Sequence, residues 1–144
     1  MKTLIIGYGN PYRRDDGLGW RVIETLQADP IADVELLQTL QLMPEHAEEI
    51  SRFSQVIFVD ASMEGKPGEL HFEWLHVHKH PSLTYSHYVS PQELLMMAGM
   101  LYGHQPEGCL ISVTGEDFDL GEGMTEGVEA RIPEVIAQIR ACLV

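Results

Sequence analysis

Short apolar runs alternate with amphipathic stretches along the chain. Leu4, Ile5 and Ile6 run straight into Gly7, and Val56, Ile57, Phe58 and Val59 run straight into Asp60, the signature of strands buried on both faces. Between them, Leu18, Val22, Ile23 and Leu26 share one helical face, as do Met43, Ala47, Ile50 and Phe53. Val34 to Leu37 supplies a middle strand. Further on, Leu70, Phe72 and Trp74 alternate with Glu69, His71 and Glu73, the period-two pattern of a half-exposed edge strand. Ser90 is placed to cap a helix that has Pro91 first and Glu93 third, carries Leu94, Leu95, Met97, Ala98 and Leu101, and stops at Gly103. Cys109 to Val113 reads as another buried strand. Val128, Ile132, Val135, Ile136, Ile139 and Leu143 then predict a long closing helix, with Pro133 near its start or marking a break in register. Strands alternating with helices predict an α/β fold: a three-layer α/β/α sandwich around a mostly parallel sheet, with one antiparallel edge strand.

The 144 residues suit one domain spanning 1–144, and no composition shift, repeat or linker divides them. At 44% hydrophobic and 22% charged the composition is that of a globular protein, and no run approaches the roughly 18 apolar residues of a membrane span. The start, MKTLIIGYGN, has too short an apolar run for a secretory signal, so a cytoplasmic protein is expected. Cys109 and Cys142 lie far apart and outside any metal-binding spacing, which predicts buried, reduced thiols. A net charge of −13 disfavours nucleic acid and anionic membranes, and points to a basic protein partner or a cation.

Gly7-Tyr8-Gly9-Asn10 follows the first strand and precedes a helix, where a dinucleotide-binding turn would sit. Tyr12 replaces its third glycine, and Asp15-Asp16-Gly17 puts negative charge where a pyrophosphate needs bare helix amides. The same place suits a cation. Ligands of open α/β sheets bind beyond the carboxyl ends of the strands, and Asp16 and Asp60 both fall on that rim. His87, just ahead of the Ser90 cap, completes an oxygen and imidazole set suited to a first-row transition metal with open positions. Asp15 is expected to cap the following helix through the Gly17 and Leu18 amides while Asp16 reaches inward. Asp60 has a competing role as a turn former.

Rival constellations are poorer. His76, His78 and His80 would face one way if extended, but Lys79 and Pro81 beside them fit a solvated loop. No GxSxG frame surrounds Ser62 or Ser86, and neither cysteine stands where a nucleophile is needed. The stretch from Gly115 to Gly123 reads as a strand-to-helix connection, or as a rim loop that touches a substrate.

Gly7-Tyr8-Gly9-Asn10 followed by Asp15-Asp16-Gly17-Leu18-Gly19 resembles the GxGNxxxxDDGxG signature of the nickel-iron hydrogenase maturation endopeptidases. The similarity continues through Val59-Asp60-Ala61 and Ser86-His87 to Gly115-Glu116-Asp117-Phe118 and Gly121-Glu122-Gly123-Met124-Thr125, nearly the whole chain. The resemblance implies a monomeric, cytoplasmic α/β/α endopeptidase. Such an enzyme removes the carboxy-terminal extension of a hydrogenase large-subunit precursor after nickel insertion, and is no conventional serine, cysteine or zinc protease. It also implies that Asp16, Asp60 and His87 are the nickel ligands, the nickel arriving with the precursor and a surrogate divalent ion able to bind the isolated protein. Gln41-Leu42-Met43-Pro44-Glu45 resembles the version of the turn after the second strand found in members serving multisubunit, NAD-coupled hydrogenases. Ser86 and Tyr88 stand where many members have threonine and a second histidine. A non-catalytic module that binds nickel and precursor is the alternative from another class, and a small nucleotide-dependent protein is the third reading.

Overall fold

The computed structural model describes residues 2–77 and 89–143. Five strands form one sheet in the order β2-β1-β3-β5-β4. They are β1 (Thr3–Tyr8), β2 (Val34–Thr39), β3 (Gln55–Ser62), β4 (Leu70–Trp74) and β5 (Glu107–Thr114). All neighbours pair parallel except β4, which runs antiparallel to β5 at the sheet's edge. The helices are α1 (Leu18–Ala28), α2 (His46–Ile50), α3 (Pro91–Tyr102), α4 (Glu126–Glu129) and α5 (Ile132–Cys142). None is long and apolar enough to cross a membrane.

Strand pleating divides the core in two. Ile5, Ile57, Val59, Ile111 and Val113 pack under α1, α4 and α5 through Val22, Ile23, Val128, Val135 and Ile139. Leu4, Ile6, Val56 and Phe58 pack under α2 and α3 through Ala47, Ile50, Leu94 and Ala98. The result is the expected three-layer α/β/α arrangement with its antiparallel edge strand. Alternation in β4 has the expected cause: Leu70 and Phe72 lie on the α5 side, while His71 and Glu73 face the other way.

Local signals account for most boundaries. Ser90 and Glu93 form a reciprocal capping box, with the Glu93 amide donating to Ser90 Oγ at 3.1 Å. Gly103 ends α3 in the left-handed conformation at φ 80°. Two helical expectations need correction. The closing helix is split, because the chain turns at Ala130 and Arg131 and Pro133 sits in the first turn of α5, where its missing N–H has no partner to lose. The helix expected to span Met43 to Phe53 is only His46–Ile50, and Leu42 rather than Met43 is buried. Pro44 cannot donate, and the Met43 amide is taken by His46 Nδ1 at 2.9 Å instead of a helical carbonyl. Cys109 is buried as expected, Cys142 only half-buried, and both are free thiols.

Candidate functional site

From β1 the chain goes to β2 on one side and then returns across to β3 on the other, so the topological switch point lies between β1 and β3. A crevice opens there, outside the carboxyl ends of the strands. The turn from β1 into α1 is tight, because α1 lies directly on the strand backbones. A Cβ on Gly7 would stand 2.1 Å from the Gly19 carbonyl oxygen, and one on Gly19 would stand 2.7 Å from both the Tyr8 nitrogen and the Val59 oxygen. These glycines serve helix-to-sheet contact rather than a phosphate. Gly9 has φ +133°, and a side chain there would meet the Asp16 carbonyl oxygen at 2.2 Å.

This packing sets Asp16, in a short 3-10 turn spanning Arg14–Gly17, opposite Asp60 of β3. The Asn10 amide donates to Asp16 Oδ2 at 2.8 Å. The Ala61 amide donates to Asp60 Oδ1 at 2.8 Å, and the Tyr8 hydroxyl donates to the same carboxylate. Burial pushes the Asp60 carboxyl up; the Ala61 amide opposes this, the Asp16 charge adds to it and the Tyr8 hydroxyl opposes it, leaving the pKa at about 7. The Tyr8 phenol is also pushed up, by burial first and then by the charge of Asp60, its hydrogen bond to Asp60 and the charge of Asp16. Among the described residues neither aspartate has a Lys or Arg partner. The nearest cations in sequence are turned away: Arg13 donates to the Phe118 carbonyl at 3.3 Å, and Arg14 pairs with Asp117 at 3.5 Å. Two facing carboxylates that, among the described residues, lack a counter-charge form a donor set that fits a divalent cation.

Asp15 does something other than expected. Its fully buried carboxylate makes no helix cap. Instead it gathers a segment more than a hundred residues away. Oδ2 accepts from the Glu116 and Asp117 amides at 2.8 and 3.0 Å, Oδ1 accepts from the Thr125 amide at 2.7 Å, and the Thr125 hydroxyl reaches both oxygens. Burial alone would raise its pKa, but the amides of Glu116, Thr125 and Asp117 and the Thr125 hydroxyl outweigh it, and the pKa is lowered. The Asp15 amide also donates to the Asp117 carbonyl, and the Arg14 amide to the Gly121 carbonyl. The Gly115 to Gly123 stretch is therefore a rim segment fastened to the loop that carries Asp16.

The third expected ligand, His87, lies outside the described residues, as do His78, His80, Ser86 and Tyr88. His76 is exposed beyond the end of β4, at the opposite edge of the sheet from the two carboxylates. Among the described residues no three His, Cys, Asp or Glu side chains converge on one point. Tyr8 and His71 were missed by the sequence reading. Register places Ser112 beside both Asp60 and His71, on a face that also lines a cavity of about 730 Å³ with Ser62, Glu64 and Glu73. His71 Nε2 lies 2.9 Å from Thr114 Oγ1.

No family model matches this chain, and no curated protein sequence does. Solved structures do. The hydrogenase maturating endopeptidase HybD from E. coli is similar at 27% identity and a TM-score of 0.77, over 99% of this chain and 92% of its own. The hydrogenase 2 maturation peptidase from a Thaumarchaeota archaeon is similar at 24% identity and a TM-score of 0.74, over 98% and 97%. HycI, a [NiFe] hydrogenase maturation protease from Thermococcus kodakarensis, is similar at 22% identity and a TM-score of 0.77, over 97% and 90%. These structural neighbours are hydrogenase maturation endopeptidases. The last two, at their identities, speak to the fold alone.

Proposed function

We propose that this protein is an endopeptidase of hydrogenase maturation, which removes the C-terminal extension of a nickel-iron hydrogenase large-subunit precursor once nickel is in place. The observation that carries the reading is the Asp16 and Asp60 pair, half-buried at the switch point and without a Lys or Arg partner among the described residues, in a chain similar along 99% of its length to a hydrogenase maturating endopeptidase. A cation brought by the substrate supplies the missing counter-charge. In this reading Asp16, Asp60 and His87 complete the coordination of the precursor's nickel, and the amide to be cut lies beside it. Water adds to the polarised carbonyl, the C–N bond breaks, and a carboxylate and an amine leave. Tyr8 holds Asp60 in position. The glutamine-leucine-methionine-proline-glutamate turn at 41–45 favours a precursor of the NAD-coupled, multisubunit type, and the protein acts as a cytoplasmic monomer.

Incubation with nickel-loaded precursor, followed by mass spectrometry of the large subunit, tests this. The wild type is expected to shorten the loaded precursor and leave the nickel-free one intact, and Asp16→Asn is expected to abolish cleavage without unfolding. Undiminished cleavage by Asp16→Asn overturns the assignment. Tight binding with no cleavage by the wild type favours the non-catalytic nickel and precursor module.

A further inference from the structure

Four large apolar side chains stand exposed just beyond the carboxyl ends of the four parallel strands. Leu40 follows β2 and is 60% exposed, Tyr12 follows β1 at 63%, Met63 follows β3 at 80%, and Leu120 follows β5 at 75%. Since they succeed neighbouring strands, they share the rim that holds Asp16 and Asp60. Hydrogen bonds make the arrangement continuous. The Gly9 amide donates to the Thr39 carbonyl, next to Leu40; the Asn10 amide reaches Asp16; and the Gly121 amide donates to the Tyr12 carbonyl at 2.8 Å, setting Leu120 beside Tyr12. Met63 lies three residues beyond Asp60 on the same strand end. Among the described residues, the other exposed large apolar side chains, Trp74, Met100, Leu101 and Tyr102, sit toward the opposite end of the parallel strands, where β4 and α3 end and β5 begins.

We infer that Leu40, Tyr12, Met63 and Leu120 form an apolar collar that docks the folded body of the hydrogenase precursor around its nickel; the inference rests on the function proposed above. A chain of net charge −13 favours a partner that brings positive charge, and large apolar groups gathered around two carboxylates mark a surface that a partner covers. The partner that fits presents a cation set within an apolar surface. The cation answers the carboxylate pair, and the surround meets the collar and excludes water from the pair, the arrangement of a central contact ringed by a seal. The collar is also pre-arranged, because Asp15 fastens the segment that bears Leu120, so little ordering remains to oppose binding.

The test uses the full chain and the nickel-loaded precursor, with binding and cleavage measured separately. Met63→Ser with Leu120→Ser, both exposed enough to leave folding unaffected, should raise KM and the dissociation constant at least about tenfold and leave kcat unchanged. Met100→Ser with Leu101→Ser, toward the far end of the strands, should change neither. A cleaving wild type whose Met63→Ser, Leu120→Ser variant keeps its KM overturns the collar and leaves the protease reading standing. A wild type that binds through these residues without cutting does the reverse. Absence of any binding to the precursor ends both.

Discussion

Asp15→Asn is the sharpest test of how the rim is assembled, since the change preserves shape and removes only charge and one acceptor. The carboxylate accepts from three backbone amides and a hydroxyl, all of them buried or half-buried. A carboxamide must turn its –NH₂ toward some of these donors. With nitrogen at the Oδ2 position the Glu116 and Asp117 amides are orphaned; with nitrogen at Oδ1 only the Thr125 amide is, and that orientation is favoured. One orphaned buried donor costs about 1–3 kcal/mol. The remaining bonds lose their charge assistance, which brings the expected loss to about 2–4 kcal/mol. At roughly 3 °C per kcal/mol for a domain of this size, the midpoint should fall by about 6–12 °C. Urea or thermal unfolding by circular dichroism measures it. Asp15's folded pKa is depressed from 3.8, so its stabilisation is full above that pH and is lost as pH falls through the lowered value. The gap between wild type and Asp15→Asn should therefore close in acid. A loss under about 0.5 kcal/mol, the scatter of an ordinary surface substitution, or a gap that does not narrow as the pH is lowered, refutes the account of Asp15 as the fastening of the rim.

Asp60, by contrast, has its pKa raised from 3.8 to about 7, so its contribution to stability is full below pH 3.8 and is lost as pH rises to about 7. Relative to wild type, Asp60→Asn should gain stability across that window and stay level above it; parallel pH profiles would contradict the shift. Divalent nickel titrated into the isolated protein competes with the same proton, so its affinity should climb with pH up to about 7 and then flatten, as isothermal calorimetry would read. Gly19→Ala places a methyl against backbone on two sides and should destabilise by about 1–3 kcal/mol or more. Gly127→Ala in α4 meets nothing within 4 Å and should be neutral or stabilising by about 0.4–1 kcal/mol. Equal denaturation midpoints for the two alanine variants would argue against main-chain contact between α1 and the sheet.

The layers were legible because each buried element writes its own period: the runs at Leu4–Ile6 and Val56–Val59 became β1 and β3, and the Leu18, Val22, Ile23, Leu26 stripe became the buried face of α1. Capping at Ser90 and the stop at Gly103 are local chemistry and were read as such. The rim positions of Asp16 and Asp60 followed from strand order alone. Asp15 was misread because its partners stand 101 to 110 residues away, a distance over which no local pattern speaks, whereas the cap that was expected needs only its neighbours. Tyr8 was missed for a related reason. Its hydroxyl finds Asp60 only through the pairing of β1 with β3, and register is a property of two strands rather than of either sequence. The short α2 shows local chemistry overruling periodicity, with Pro44 and the His46 side chain delaying the start of a helix that the apolar spacing would have begun at Met43.

The contact between Gly19 and the backbones of β1 and β3 has a consequence for how this protein can change over time. Because α1 is seated on main chain, the relation between its leading turn and the third strand does not depend on which aliphatic groups fill the interior behind it. Val22, Ile23 or Ile57 can exchange for other hydrocarbons of similar volume while the two acids keep their spacing. The interior is thus free to drift, while the spacing of the acids is held by a few residues without side chains.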